Sequence, residues 1–134
     1  MHFHWLAILA AGVAGFVIGG IWYGPLFGKA WAKARGLDPE TLKASANMVQ
    51  IFGTSFVLNL IAAFMLDHLY QTYDAPPGFH HSLVIAAIIG FGFIATSIGV
   101  NYLFARLSRG LFVIDAGYWI VNYLAMGAIF GLLT

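Results

Sequence analysis

The chain has no cysteine and very little charge. Of its 134 residues 8% are Asp, Glu, Lys or Arg, 61% belong to the hydrophobic set, and the mean hydropathy is +0.87. Without cysteine, disulfides, thiolate nucleophiles and Cys-ligated zinc or iron–sulfur centres are excluded. A soluble domain carries roughly 25% charged residues, because its surface must be wetted. Here the charged side chains are too few to cover a surface. A formal net charge of +1 removes the electrostatic case for nucleic acid, which needs clustered Lys and Arg. What remains is an integral membrane protein.

No charged residue occurs from Met1 to Gly28, from Ala44 to Leu66 or from Ala75 to Ala105, and Asp115 is alone between Leu111 and Leu133. A hydrocarbon layer ~30 Å thick takes about 20 residues at ~1.5 Å each. The runs lack the alternation of barrel strands, and helices satisfy their own backbone in lipid. The expected fold is all-α: a single four-transmembrane-helix bundle with spans roughly over 3–27, 45–68, 81–104 and 111–133. The first run has no basic leader and no small-residue cleavage pattern, so it reads as a permanent span.

All 6 basic residues fall in two connections, Lys29, Lys33, Arg35 and Lys43 after the first span, Arg106 and Arg109 after the third. The positive-inside rule makes these connections cytoplasmic. It puts both termini and the 67–80 connection on the outer face of the cell inner membrane. Phe27 to Leu42 reads either as an interfacial segment, with Trp31 among headgroups and Lys29 and Lys33 toward anionic lipid, or as an ordinary basic loop. Turns are expected at Asp38-Pro39-Glu40-Thr41 and Ala75-Pro76-Pro77-Gly78.

The string Gly19-Gly20-Ile21-Trp22-Tyr23-Gly24-Pro25-Leu26-Phe27-Gly28-Lys29-Ala30-Trp31 is similar to the signature of a bacterial membrane family, domain of unknown function 1761, with Trp22, Tyr23, Pro25, Phe27, Gly28 and Trp31 as its specific positions. Leu103-Phe104 followed by basic residues, then Phe112-Val113-Ile114-Asp115-Ala116-Gly117-Tyr118 and Met126-Gly127-Ala128-Ile129-Phe130-Gly131, resemble that family's last two helices. The resemblance covers nearly the whole chain and implies a small bacterial inner-membrane protein with four helices. It carries no activity, cofactor or catalytic residue. Between Val49 and Gln71 no family motif is recognised, so the second span rests on hydrophobicity alone.

A charge inside hydrocarbon costs about 2.5 to 3.5 kcal/mol, so an ionisable residue in a span needs a partner or a purpose. Asp115 sits about one turn, roughly 6 Å, inside the fourth span. Arg106 and Arg109 approach from the preceding loop and Tyr23 marks the same end of the first span, so an Asp–Arg pair with a tyrosine donor is expected. Two readings stand: a structural tie, or a proton or cation site. Tyr118 and Asn122 share the Asp115 stripe at i+3 and i+7. Asn47, Gln50, Thr54, Ser55 and Asn59 on the second span, with Ser97 and Asn101 on the third, are expected to meet that stripe as interhelical hydrogen bonds or as a narrow polar path. Leu124 to Leu133 supplies no polar side chain, which argues against a continuous pore through one protomer.

His2, His4, His68, His80 and His81 all fall on the outer face with Asp67 and Asp74. They are chemically adequate for a metal, but none of the His pairs has the i, i+4 ligand spacing. Interfacial histidines are the simpler reading, and no cofactor is expected. Gly15-x-x-x-Gly19, Gly20-x-x-x-Gly24 and Gly127-x-x-x-Gly131 favour close helix packing within a chain or between protomers. Pro25 reads as the stop of the first span, or else as a hinge. An enzyme is the least supported class, since no nucleophile–base pair, paired carboxylates or phosphate loop is visible. A homo-oligomeric structural or accessory membrane protein is expected first, an oligomeric proton- or cation-handling channel or transporter using Asp115 second, and an outer-face metal binder third.

Overall fold

The computed structural model describes residues 3–36, 38, 47–73 and 78–134. His2, Lys43, Asp74 and most of the two expected turns lie outside these. Among the described residues all regular structure is helical: α1 (Trp5–Leu26), α2 (Gly28–Arg35), α3 (Met48–Tyr70), α4 (Phe79–Ala105) and α5 (Arg109–Leu133). All but α2 are long and apolar enough to cross a membrane.

Local signals set the helix ends. The Asn47 side chain accepts from the Gln50 N–H at 3.1 Å to start α3, and Ser108 Oγ accepts from the Leu111 N–H at 3.1 Å to start α5. At the end of α4 the N–H of Leu107 bonds the Tyr102 carbonyl and the N–H of Arg106 bonds that of Leu103, which closes the last turn. This closure puts Arg106 at φ 59°, a left-handed position where glycine has no Cβ penalty. Arg106→Gly is therefore expected to stabilise the protein by about 1 kcal/mol. A thermal midpoint in detergent that stays flat or falls would contradict this account of the α4–α5 turn.

Pro25 lies inside a π-helical last turn of α1, Trp22–Leu26. The helix ends at Leu26, one residue after the proline expected to stop it. The middle of α4, Ile88–Ala95, is also π-helical. There the Thr96 hydroxyl bonds the Gly92 carbonyl at 2.9 Å and Ser97 bonds that of Phe93 at 2.6 Å, so hydroxyls serve carbonyls of the wide turn.

The helices pack in the order α3–α1–α5–α4. α1 lies between α3 and α5, and α4 packs on α5. α3 and α4 share no extensive face, although the Tyr70 hydroxyl donates to the Ser82 carbonyl at 2.7 Å where the two helices approach each other. Lipid tails are as apolar as leucine, so small residues and close van der Waals contact must hold these crossings. A methyl on Gly127 would lie 3.0 Å from the Ser82 carbonyl oxygen, and one on Gly90 3.3 Å from the Ile120 Cα. By contrast Gly20 and Gly24 face open space, so the second glycine pair holds no crossing within the chain.

Candidate functional site

The site is built at the basic end of the bundle, where α1 turns into α2. Trp22 and Tyr23 both reach α5. The Trp22 indole N–H donates to the Ile114 carbonyl at 2.8 Å, with its ring over Gly117, where a Cβ would come within 3.1 Å. One residue on, the Tyr23 hydroxyl donates to Asp115 Oδ1 at 2.6 Å. A Cβ on Gly28 would run into the Tyr23 carbonyl oxygen, so the fold-back into α2 requires glycine there. α2 then lies beneath the cluster, Trp31 edge-on to Tyr23 with ring centroids 6.1 Å apart and the Arg35 guanidinium over Trp31 at 5.4 Å. The signature string thus encodes two anchors on α5 and the turn that folds a basic strap under them.

Asp115 is 8% exposed. Its second oxygen accepts from the Tyr102 hydroxyl of α4. The carboxyl group is therefore held between α1 and α4 by two tyrosines, and the expected arginine partners do not reach it. Arg106 and Arg109 are exposed, and at the other end His4 Nδ1 lies 2.7 Å from Asp67 Oδ1. The reason is geometric. Arg106 sits exposed in the left-handed turn that ends α4. Arg109 precedes Asp115 by six residues on one helix, which turns it about 120° around the axis. The sequence does not single out Tyr102, because it sits among Leu103, Phe104 and Ala105, where a tyrosine reads as part of the interfacial aromatic belt.

Above Asp115 the polar stripe of α5 continues but divides among different partners. The Tyr118 hydroxyl donates to the Gly15 carbonyl of α1 at 2.9 Å. The Asn122 amide donates to Asn59 Oδ1 of α3 at 2.9 Å, and Asn59 donates to the Ser55 carbonyl at 3.2 Å. Asn122 is fully buried and its own Oδ1 has no hydrogen-bond partner among the described residues; it lies against Gly15 instead. Of the other stripes expected to meet here, only Asn59 and the Ser55 carbonyl do so. Gln50, Thr54, Ser97 and Asn101 face outward, and Asn47 caps α3.

Beyond the asparagines the interior is apolar, with Ile8, Ala11, Ala63, Leu66, Met126 and Phe130 buried together. On the far side of this layer lies a second acid. Asp67, read from the sequence as the start of a connection, is inside α3 and 1% exposed. It accepts from the His4 backbone N–H at 3.1 Å and from the Gln71 side chain at 2.9 Å, and His4 Nδ1 lies 2.7 Å from its other oxygen. No spacing in the sequence links His4 to Asp67. The α1–α3 crossing brings them together. His68, His80 and His81 do not join this pair, and among the described residues no three His, Cys, Asp or Glu side chains gather in a way that could hold a metal ion.

Four apolar helices, three of them tied at the basic end by an acid between tyrosine hydroxyls, define a multi-pass helical membrane protein. The chain belongs to the family described as "Protein of unknown function (DUF1761)", whose family model matches residues 6–131. No curated protein and no solved structure matches it.

Proposed function

We propose that the protein is a non-conducting structural or accessory component of the bacterial inner membrane, assembled as a homo-oligomer, with Asp115 serving as an internal clasp. The observation that carries this reading is the engagement of both Asp115 oxygens by Tyr23 and Tyr102, with a buried apolar layer between that acid and Asp67. A group that loads and releases a proton or cation needs a path to both sides, and buried Ala11, Ala63 and Met126 close it within one chain. The excess of exposed cations at the Asp115 end, Lys29, Lys33, Arg35, Arg106 and Arg109, supports placing that end in the cytoplasm and both termini outside. Those cations with Trp31 at their edge suit anionic lipid headgroups.

The alternative is a proton- or cation-handling oligomer, favoured by the polar run Asp115–Tyr118–Asn122–Asn59 over the basic half. Purified protein in liposomes under a pH gradient separates the two. We expect a flux trace indistinguishable from empty vesicles, for the wild type and for Asp115→Asn alike. A pH-dependent flux that Asp115→Asn removes would establish the alternative.

A further inference from the structure

We infer that α2, where it meets the end of α4, forms a site for the headgroup of one anionic phospholipid, with Arg35 as the group that grips its phosphate. This deepens the headgroup contact proposed above, putting a built site in place of a diffuse attraction, and it rests on that reading of the basic end. Among the described residues that end carries five exposed cations, Lys29, Lys33, Arg35, Arg106 and Arg109, against one exposed acid, Asp38. The other acid there, Asp115, is taken up by Tyr23 and Tyr102. A negative headgroup is the complementary charge that a membrane interface supplies.

The cations are not equivalent. On α2, Lys29 and Lys33 share one face at i, i+4, while Trp31 and Arg35 share another, about 200° round the axis. Both lysines are exposed and act as point charges on flexible stems. Arg35 is held in place. Its guanidinium stacks on Trp31 at 5.4 Å, Trp31 stands edge-on to Tyr23, and Ala32 between them is buried where α2 packs on α5. From the other side Arg35 acts electrostatically on the Tyr102 hydroxyl, which puts it where the strap meets the end of α4.

Stacking covers one face of a guanidinium and leaves its N–H edge available. The Arg35 donors make no hydrogen bond among the described residues. A planar fork fixed in this way matches two oxygens of a phosphate. Arg106, one turn past Tyr102, and Arg109 in the first turn of α5 add charge at the same end. Phosphatidylcholine offers the same phosphate together with a cation of its own, which these charges repel, so the site selects a lipid with net negative charge.

The test places the purified chain in nanodiscs of phosphatidylcholine, with or without added phosphatidylglycerol, and reads thermal unfolding and the lipid retained in native mass spectrometry. We expect phosphatidylglycerol to raise the thermal midpoint by about 2 to 4 °C and to be retained as a single adduct per chain. Arg35→Gln should cut that retention about 10-fold and remove the shift, while Lys33→Gln, which deletes the same charge, should change retention by less than about 2-fold. Arg35→Lys keeps the charge but not the fork, and should behave as Arg35→Gln does. All three variants should melt close to the wild type in phosphatidylcholine alone, because the substituted side chains are exposed. Equal losses from Arg35→Gln and Lys33→Gln would overturn the site and leave the diffuse attraction standing. Wild-type retention by Arg35→Lys would overturn the stacked fork as the grip. The same midpoint and no adduct for the wild type in both kinds of nanodisc would overturn the headgroup contact altogether. An equal shift from glycerol phosphate added to phosphatidylcholine nanodiscs would assign the site to a soluble anion and overturn the lipid.

Discussion

Asp115→Ala is expected to lower stability by about 3 to 5 kcal/mol. The effect comes less from the carboxyl group itself than from what it leaves behind. Two tyrosine hydroxyls, on helices that α5 holds together, lose their acceptor at once; the more deeply placed Tyr23 hydroxyl costs about 1 to 3 kcal/mol when unpaired, and the half-buried Tyr102 less. Tyr23→Phe and Tyr102→Phe should each cost only about 1 kcal/mol, because Asp115 retains the other donor. A double-mutant cycle between the tyrosines should show coupling through the shared acid. Tryptophan fluorescence during reversible unfolding in mixed micelles reports the event directly, since Trp22 and Trp31 flank the cluster. A loss below about 1 kcal/mol for Asp115→Ala would show that the clasp does not hold the basic end.

The second large effect is expected from one methyl group. In Gly15→Ala the new Cβ meets Asn122 Oδ1 within van der Waals contact and lies 2.9 Å from Asn59 Oδ1, at the point where α1, α3 and α5 converge. The amides cannot withdraw into solvent, because Asn122 is fully buried and tied to Asn59. The helices must separate, and the Tyr118 bond to the Gly15 carbonyl is strained with them. We expect a loss of about 2 to 4 kcal/mol, from overpacking together with the broken amide pair. Gly20→Ala on the same helix meets nothing within 4 Å and should be neutral or slightly stabilising, since alanine is the better helix former. Equal melting temperatures for the two variants would show that the amides do not govern the crossing.

How much of this was legible in the sequence depended on the range of the signal. Spans are written in local hydropathy, so the four apolar helices follow from the charge-free runs. The site was legible in part. Asp115 stands out as an acid in an apolar run, and Trp22 and Tyr23 stand out in the signature string. Their partners were not legible, because side-chain pairing between helices depends on rotation about each axis. Hydropathy does not encode rotation when a helix is apolar all round. The arginines were expected at Asp115 on grounds of charge and proximity in sequence, yet helical phase takes Arg109 to another face. Asn59 and Gln50 illustrate the same limit. Both are amides on α3 in an apolar setting, but one is buried against Asn122 and the other faces outward.

The central position of α5 also sets the order in which the molecule can be completed. Chains emerge from the N-terminus first, so the helix that touches α1, α4 and the strap beneath them is made after all of these. Until it arrives, α1 and α3 can pair through their own crossing, but α4 has no extensive neighbour, and Tyr23 and Tyr102 have no acid to bind. Truncation before Arg109 would therefore leave a half-assembled hairpin with a stray span, exposed to membrane quality-control proteases. The helix made after the other three thus acts as a checkpoint for them.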